Sequence, residues 1–246
     1  MSETQPTRVA LITGAARRVG RAIAERLADA GFDIAFTFLR SSGAADDLAR
    51  SIREKGRQYL SIQADLEDPL PAARHVAREF SQRFSRLDVL VNNASIYLPD
   101  PVGEEVAAMS RRMQAIHVDS PLLLARALLP ALKAAGGSII NMVDLQAERP
   151  IAGYLAYCAS KAGLWNLTLG LARQLAPDVR VNGIAPGVVE WQSDLPEDQR
   201  QKYLRRVPLA RAGTPEDVAR AVEFLTTGAP YVTGQILRLD GGRSIT

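Results

Sequence analysis

Short apolar runs of strand length alternate with helical segments from one end of this chain to the other. The runs fall at 8–13, 33–38, 58–63, 87–92, 138–143, 179–184 and 235–239. Helical spacing fills the intervals at 19–30, 44–55, 70–84, 104–118, 122–135, 153–175 and 215–226. Gly31 and Gly56 close the first two helices, and Pro71 lies in the first turn of the third. A short helix is expected after Pro196, inside an irregular stretch at 185–203. Strands this apolar are covered on both faces, which a parallel sheet between two helical layers provides. The pattern predicts an α/β fold: a Rossmann-like, doubly wound parallel sheet of seven strands with helices on both faces. No repeat, low-complexity tract or linker breaks the alternation. Residues 1–246 are therefore read as a single domain, with 1–7 a flexible N-terminal tail.

Composition narrows the function classes. The formal charge is only +3 and the arginines are scattered, which argues against nucleic-acid binding. One cysteine, Cys158, rules out an intrachain disulfide and a Cys-rich metal site. His75 and His117 lack metal-ligand spacing, so no metal is expected. No apolar run is long enough to span a bilayer, and the polar N-terminus lacks a signal-peptide core. A cytoplasmic protein acting on a small molecule is the expectation.

In doubly wound sheets, ligands bind beyond the carboxyl ends of the strands, so the residues after each strand matter most. After the first strand, Thr13-Gly14-Ala15-Ala16-Arg17-Arg18-Val19-Gly20 runs straight into a helix. Small residues let backbone approach a pyrophosphate, and the helix N-terminus offers N–H groups and a positive end. Arg17 and Arg18 oppose the macrodipole there, and a bound polyanion reverses that sign. After the second strand, Leu39-Arg40-Ser41-Ser42 offers a cation and hydroxyls where an acid would suit NAD. That set fits a 2′-phosphate, and hence NADPH/NADP. Asp65, followed by Leu66, could accept from an adenine amino group or cap a turn. Asn92-Asn93-Ala94-Ser95 and Pro186-Gly187 follow the fourth and sixth strands and could line the cofactor.

The chemistry concentrates at Asp144, just past the fifth strand, and at Tyr157 and Lys161, one helical turn apart. A free phenol has a pKa of about 10. Lys161 and a nicotinamide cation would lower it, and Asp144 would keep the phenol protonated. An ionised carboxylate cannot donate to a ketone oxygen as a hydroxyl can. Asp144 therefore favours a substrate that takes a proton on a ring nitrogen. Tyr97 and Trp191 are candidate pocket aromatics, Trp191 through its place after Pro186 and Tyr97 because a flat ring over a nicotinamide leaves a slot for another flat ring. The charged stretch with Asp194, Glu197, Asp198 and Arg200 reads as a mobile lid. Tyr154 is assigned to packing or pocket lining, and Cys158 is given no chemistry.

Together, Thr13-Gly14…Gly20, Asn92-Asn93-Ala94, Tyr157-x-x-x-Lys161, Val181-Asn182…Pro186-Gly187 and Asp240-Gly241-Gly242 resemble the short-chain dehydrogenase/reductase family over essentially the whole chain. The resemblance implies hydride transfer with NAD(P)H, Tyr157 as proton donor and Lys161 holding the nicotinamide ribose. It also implies a homotetramer packed through the helices near 122–135 and 153–175. Three departures stand out: Arg18 for the usual glycine, Asp144 for the usual serine, and Ser95 after Asn-Asn-Ala. With Tyr97, these look like the pteridine reductases and the related dihydromonapterin reductases. That likeness implies NADPH-dependent reduction of pterins, with dihydrofolate as a further candidate substrate. Arg18 would lie near cofactor phosphates and pterin, Ser95 would hold the ring, and Tyr97 would stack on it. His117 stands where many family members carry a structural asparagine with a backbone kink. It is expected to be a satisfied structural histidine rather than a proton relay. Two other readings stay open. One is a reductase of a ketone or 3-oxoacyl thioester, against which Asp144 weighs. The other is a non-catalytic NADPH-binding regulator, against which Tyr157 and Lys161 weigh.

Overall fold

The computed structural model describes residues 7–191 and 195–246. The predicted N-terminal tail, apart from Thr7, and Asp194 of the predicted lid lie outside them. The strands are β1 (Val9–Ile12), β2 (Asp33–Phe38), β3 (Tyr59–Gln63), β4 (Val89–Asn92), β5 (Ser138–Met142), β6 (Arg180–Pro186) and β7 (Ile236–Leu239). They form one sheet in the order β3-β2-β1-β4-β5-β6-β7, and every pairing is parallel. The expected seven-stranded parallel sheet is present.

Alternation along each strand splits the core into two layers. Ala10, Ile12, Ile34, Phe36, Val89 and Val91 face one side with α1 (Arg18–Asp29), α2 (Ser42–Glu54) and α9 (Pro215–Glu223). Val9, Leu11, Ala35, Leu90, Ile139 and Val181 face the other with α3 (Pro69–Arg83), α5 (Ser120–Ala127) and α7 (Leu155–Leu175). Chain order reverses between β1 and β4, where a crevice opens at the strand ends.

The structure departs from the sequence reading mainly in the helices between β4 and β5. The gap expected at 119–121 is not a break. α4 (Glu105–Gln114) runs through a π-turn at Ala115–Asp119 directly into α5. The break comes later, at Leu128, before α6 (Leu129–Ala135). Pro130 then occupies the first turn of α6, as Pro121 occupies the first turn of α5 after the π-turn, positions where the missing N–H costs little. The last predicted helix likewise stops at Glu223 and passes into a π-turn at Phe224–Gly228. Among the described residues, no single helix is long and apolar enough to cross a membrane.

Two remote contacts hold the site-bearing elements. Asp100 accepts hydrogen bonds from Leu155 N (2.6 Å) and Ala156 N (3.1 Å), satisfying the first turn of α7 from the β4–α4 connection. In the sheet, Asn92 Nδ2 donates to Asn141 Oδ1 (2.8 Å), and Asn141 Nδ2 donates to Thr168 Oγ1 (2.9 Å). This buried polar chain ties β4, β5 and α7 together just behind the crevice.

Candidate active site

The loop after β1 is shaped by close contact with the loop after β4. Thr13 Oγ1 accepts from the backbone N–H groups of Asn93 and Ala94, both at 2.9 Å. Asn93 Nδ2 returns a bond to Thr13 O (2.9 Å). Gly14 has φ +64°, and a Cβ there would sit 3.0 Å from Ala94 Cα. A Cβ on Gly20 would lie 2.6 Å from Asn93 Nδ2 and 2.7 Å from Gly14 O. The two glycines are thus fixed by packing, and Asn93 serves chiefly as a strut. Thr37, whose hydroxyl accepts from Gly14 N (3.1 Å), pins the loop from β2.

Beyond this loop lies a cleft of about 530 Å³, within the size range of small-molecule sites. Gly14, Arg17, Arg18, Val19, Gly20, Arg40, Ser41, Asp65, Leu66, Asn93, Ala94 and Ser95 all line it. Thr37, Glu67 and Arg112 line it as well, although sequence reading did not select them. Thr37 could have been found from strand alternation at the end of β2. Arg112 lies on α4, 45 positions from its partner Glu67, and the sequence carries no signal for that pair. Asp65 is exposed and accepts from Glu67 N (3.0 Å), so one oxygen serves the turn.

The cleft fits a phosphorylated dinucleotide. Helix α1 has no acidic residue in its first turn and no side-chain cap. Among the described residues, Arg17 and Arg40 have no carboxylate partner, and Ser41 makes no capping bond. Cations left unpaired around a helix N-terminus are what a polyanion would use. Arg18 has φ +55°, in the left-handed region that favours glycine. That conformation costs a non-glycine residue about 1–2 kcal/mol. Its side chain pairs with Glu190 at 2.6 Å, across the mouth between the glycine loop and the segment after β6.

The reacting groups converge at the ends of β4 and β5. Tyr157 Oη donates to Asp144 Oδ2 (2.8 Å), while Asp144 Oδ1 accepts from Gln146 N (2.7 Å). Lys161, buried one turn along α7, donates from Nζ to Met142 O (2.8 Å). Burial brings the Lys161 ammonium down to about 8, against a smaller upward pull from Asp144. Burial and then the Asp144 charge hold the Tyr157 phenol well above its ordinary value. Asp144 keeps a narrow opening to solvent, yet the protein around its carboxyl raises its proton affinity, opposed by the Gln146 N–H, Tyr157 and Lys161.

Tyr97 stacks on Tyr154 (4.5 Å between centroids, 10° between planes) and meets Tyr157 edge-on at 4.8 Å. One of its faces is therefore already covered by Tyr154. Trp191, like Tyr97, Asp144, Tyr157, Lys161, Pro186 and Gly187, lies off the lining of the cleft described above. It packs edge-on against Tyr203 of α8 (Glu197–Leu204) at 5.6 Å, with Arg200 near its ring. Pro186 closes β6, and Gly187 N is bonded to Leu239 O (3.0 Å). A Cβ on Gly187 would crowd Tyr203 Oη and Asp240. His117 lies buried in the π-turn, in contact with Ser95 (2.9 Å) and Ser160 (2.8 Å). Burial first, and Lys161 second, lower its pKa to about 2. The ring is neutral and fully engaged. Among the described residues no cluster of His, Cys, Asp and Glu could hold a metal ion.

Comparison with known proteins agrees with this geometry. Residues 14–244 match the sequence model of a family described as enoyl-(acyl carrier protein) reductase. A cis-4-hydroxycyclohexanecarboxylate dehydrogenase of Sinomonas cyclohexanicum is 36% identical, over 98% of each chain. A 3-oxoacyl-(acyl-carrier-protein) reductase of Staphylococcus aureus is 33% identical, over 96% of this chain and 98% of the relative. A dihydromonapterin reductase of Klebsiella pneumoniae is 34% identical over the full length of both. Among solved structures, a short-chain dehydrogenase/reductase of Serratia marcescens superposes with a TM-score of 0.90 at 33% identity, covering 96% of this chain and 98% of that one. A blue fluorescent protein from a metagenomic library, in complex with NADPH, does so with a TM-score of 0.87 at 36% identity, covering 96% and 97%.

Proposed function

The chain belongs to the short-chain dehydrogenase/reductase family, and from that premise we propose that this oxidoreductase, which works with a nicotinamide cofactor, is an NADPH-dependent reductase of pterins. The observation that carries the reading is the 2.8 Å hydrogen bond from Tyr157 to Asp144. A carboxylate stands where carbonyl reduction needs a hydroxyl donor, so the site suits a ring nitrogen as proton acceptor.

The preference for NADPH rests on Arg17, Arg40 and Ser41, which offer a 2′-phosphate charge-assisted bonds. Bound NADPH supplies a hydride to a carbon of the pterin ring. Tyr157 Oη gives its proton to the adjacent ring nitrogen. The phenolate recovers its proton from solvent: Asp144, whose affinity for a proton is raised, takes one up from water and passes it along its bond to Tyr157. Lys161 would hold the nicotinamide ribose and keeps positive charge near the phenol, its ammonium 5.7 Å from the Tyr157 ring centroid. Arg18 and Ser95 bind the pterin at the mouth, and Tyr97, backed by Tyr154, forms the wall on which the ring stacks. Trp191 contributes through α8, which would close over the ring.

NADPH oxidation with dihydrobiopterin, dihydromonapterin and dihydrofolate tests the reading, and turnover of none of the three overturns it. Reduction of a ketone or 3-oxoacyl thioester is the second reading, favoured by the match to the Staphylococcus reductase at similar identity. Asp144 weighs against it. The same proposal takes the protein to be a cytoplasmic homotetramer packed through α5, α6 and α7. Analytical ultracentrifugation tests the assembly.

A further inference from the structure

Around His117, the position of every proton follows from which groups are obligate donors. The backbone N–H of Ile96 points at His117 Nε2 (3.3 Å). A backbone amide can only donate, so Nε2 carries no proton. The neutral ring therefore holds its proton on Nδ1 and donates it to Ser160 Oγ at 2.8 Å. Ser160 in turn donates to the Tyr157 carbonyl at 2.7 Å. Ser95 Oγ lies 2.9 Å from Nε2. Two lone pairs facing each other at that distance would repel, so the proton between them is the one on Ser95.

We propose that His117 is a positioning residue that fixes the polarity of Ser95, so that Ser95 presents only hydrogen-bond acceptors to the cleft and selects a substrate edge bearing N–H or amino donors. The side chain of Ser95 is exposed to that cleft and lies within hydrogen-bond reach of the Tyr157 side chain, whose own proton goes to Asp144. A hydroxyl has one proton, and here the ring behind it consumes that proton. An incoming carbonyl oxygen would meet lone pairs, whereas a ring N–H or an amino group would find an acceptor. A buried donor or acceptor left unmatched costs about 1–3 kcal/mol, enough to discriminate between otherwise similar flat rings. The inference rests on the pterin reading only for the ligand used to probe it. Tautomer and polarity concern this chain alone.

Two measurements decide it. In protein labelled with ¹⁵N-histidine and saturated with NADP, long-range proton–nitrogen correlation reads the His117 tautomer, with His75→Gln removing the only other histidine signal. A neutral ring protonated on Nδ1 from about pH 5 to about pH 8 is expected. A proton on Nε2, or an imidazolium in that range, overturns the inference. Calorimetry on the same binary complex then compares 2,4-diaminopteridine with lumazine, which places carbonyl oxygens where the first has amino groups. The diamino compound should bind at least about tenfold tighter, a difference of about 1.4 kcal/mol. Ser95→Ala should reduce that ratio to within about threefold. His117→Asn, whose amide can donate to Ser95 and release its proton toward the cleft, should do the same. An unchanged ratio in Ser95→Ala overturns the inference even if His117→Asn fails to fold. Binding of neither pteridine sinks the pterin reading instead, and the nitrogen spectrum still decides the polarity of Ser95.

Discussion

The Tyr157 phenol directs its proton at the Asp144 carboxylate across 2.8 Å, while Lys161, one turn further along the same helix, turns its ammonium to the Met142 carbonyl. The two side chains of the Tyr-x-x-x-Lys pair thus anchor to one strand end, two residues apart. The tyrosine faces Asp144, just past β5, and the lysine faces the last residue of β5 itself. The proton donor and its regulator are set by where β5 stops.

Replacing Asp144 with Ser should separate the substrate classes. Turnover of a dihydropterin should fall about 10²–10⁴-fold, the usual contribution of a positioned acid or base. Activity on a small ketone should rise, since Ser can donate to a carbonyl oxygen. Steady-state kinetics on both substrates test this, and an unaltered pterin rate would sink the assignment of Asp144.

The Lys161 ammonium titrates near pH 8 in the free protein. If its charge is needed, kcat/KM should be level below that pH and decline above it. A profile that stays flat to about pH 10 would remove Lys161 from the reacting set. Sign matters for stability as well. The folded value lies below the ordinary 10.5, so the unfolded chain binds more protons between about 8 and 10.5, and stability should rise with pH across that window.

His117 acts in a lower window. Its value falls from 6.5 to about 2 on folding, so the unfolded state takes up a proton that the native ring refuses. Stability should be lost as pH drops below 6.5 and continue to erode toward 2. His117→Asn should flatten that slope whatever its effect on the plateau. Urea midpoints at several acidic pH values read the slope, and parallel curves for both proteins would count against it.

Arg40→Ser should weaken NADPH binding by about 10–100-fold, the range expected for losing a charge-assisted bond, while NADH affinity changes little. Fluorescence titration of both cofactors checks this. Equal losses for the two would place Arg40 away from the 2′-phosphate.

Gly20→Ala puts a methyl within 2.6 Å of Asn93 Nδ2 and 2.7 Å of the Gly14 carbonyl. Overpacking at such a site costs about 1–3 kcal/mol. Thermal melts should show a lower Tm and a smaller upward shift on adding NADPH. A normal shift would mean that the loop tolerates movement.

The chain's own pattern determined a good deal. Strand-length apolar runs separated by helices leave few alternatives to a parallel sheet covered twice, because strands buried on both faces need a helix between each parallel pair. The placement of Gly14, Gly20, Tyr157 and Lys161 was legible because it follows from local spacing: a tight turn into a helix, and one turn of α7. The tertiary structure decided what depends on residues distant in sequence. The partner of Arg18, Glu190, lies 172 positions away, and Asp100 caps α7 from 55 positions away. The π-turn that seats His117 between Ser95 and Ser160 leaves no mark in hydrophobic periodicity, since a single wide turn is too short to set a period of its own. Trp191 shows the same limit. Position after β6 placed it near a pocket, but only packing could turn its ring toward Tyr203, because a side chain in an irregular segment has no period to fix its direction.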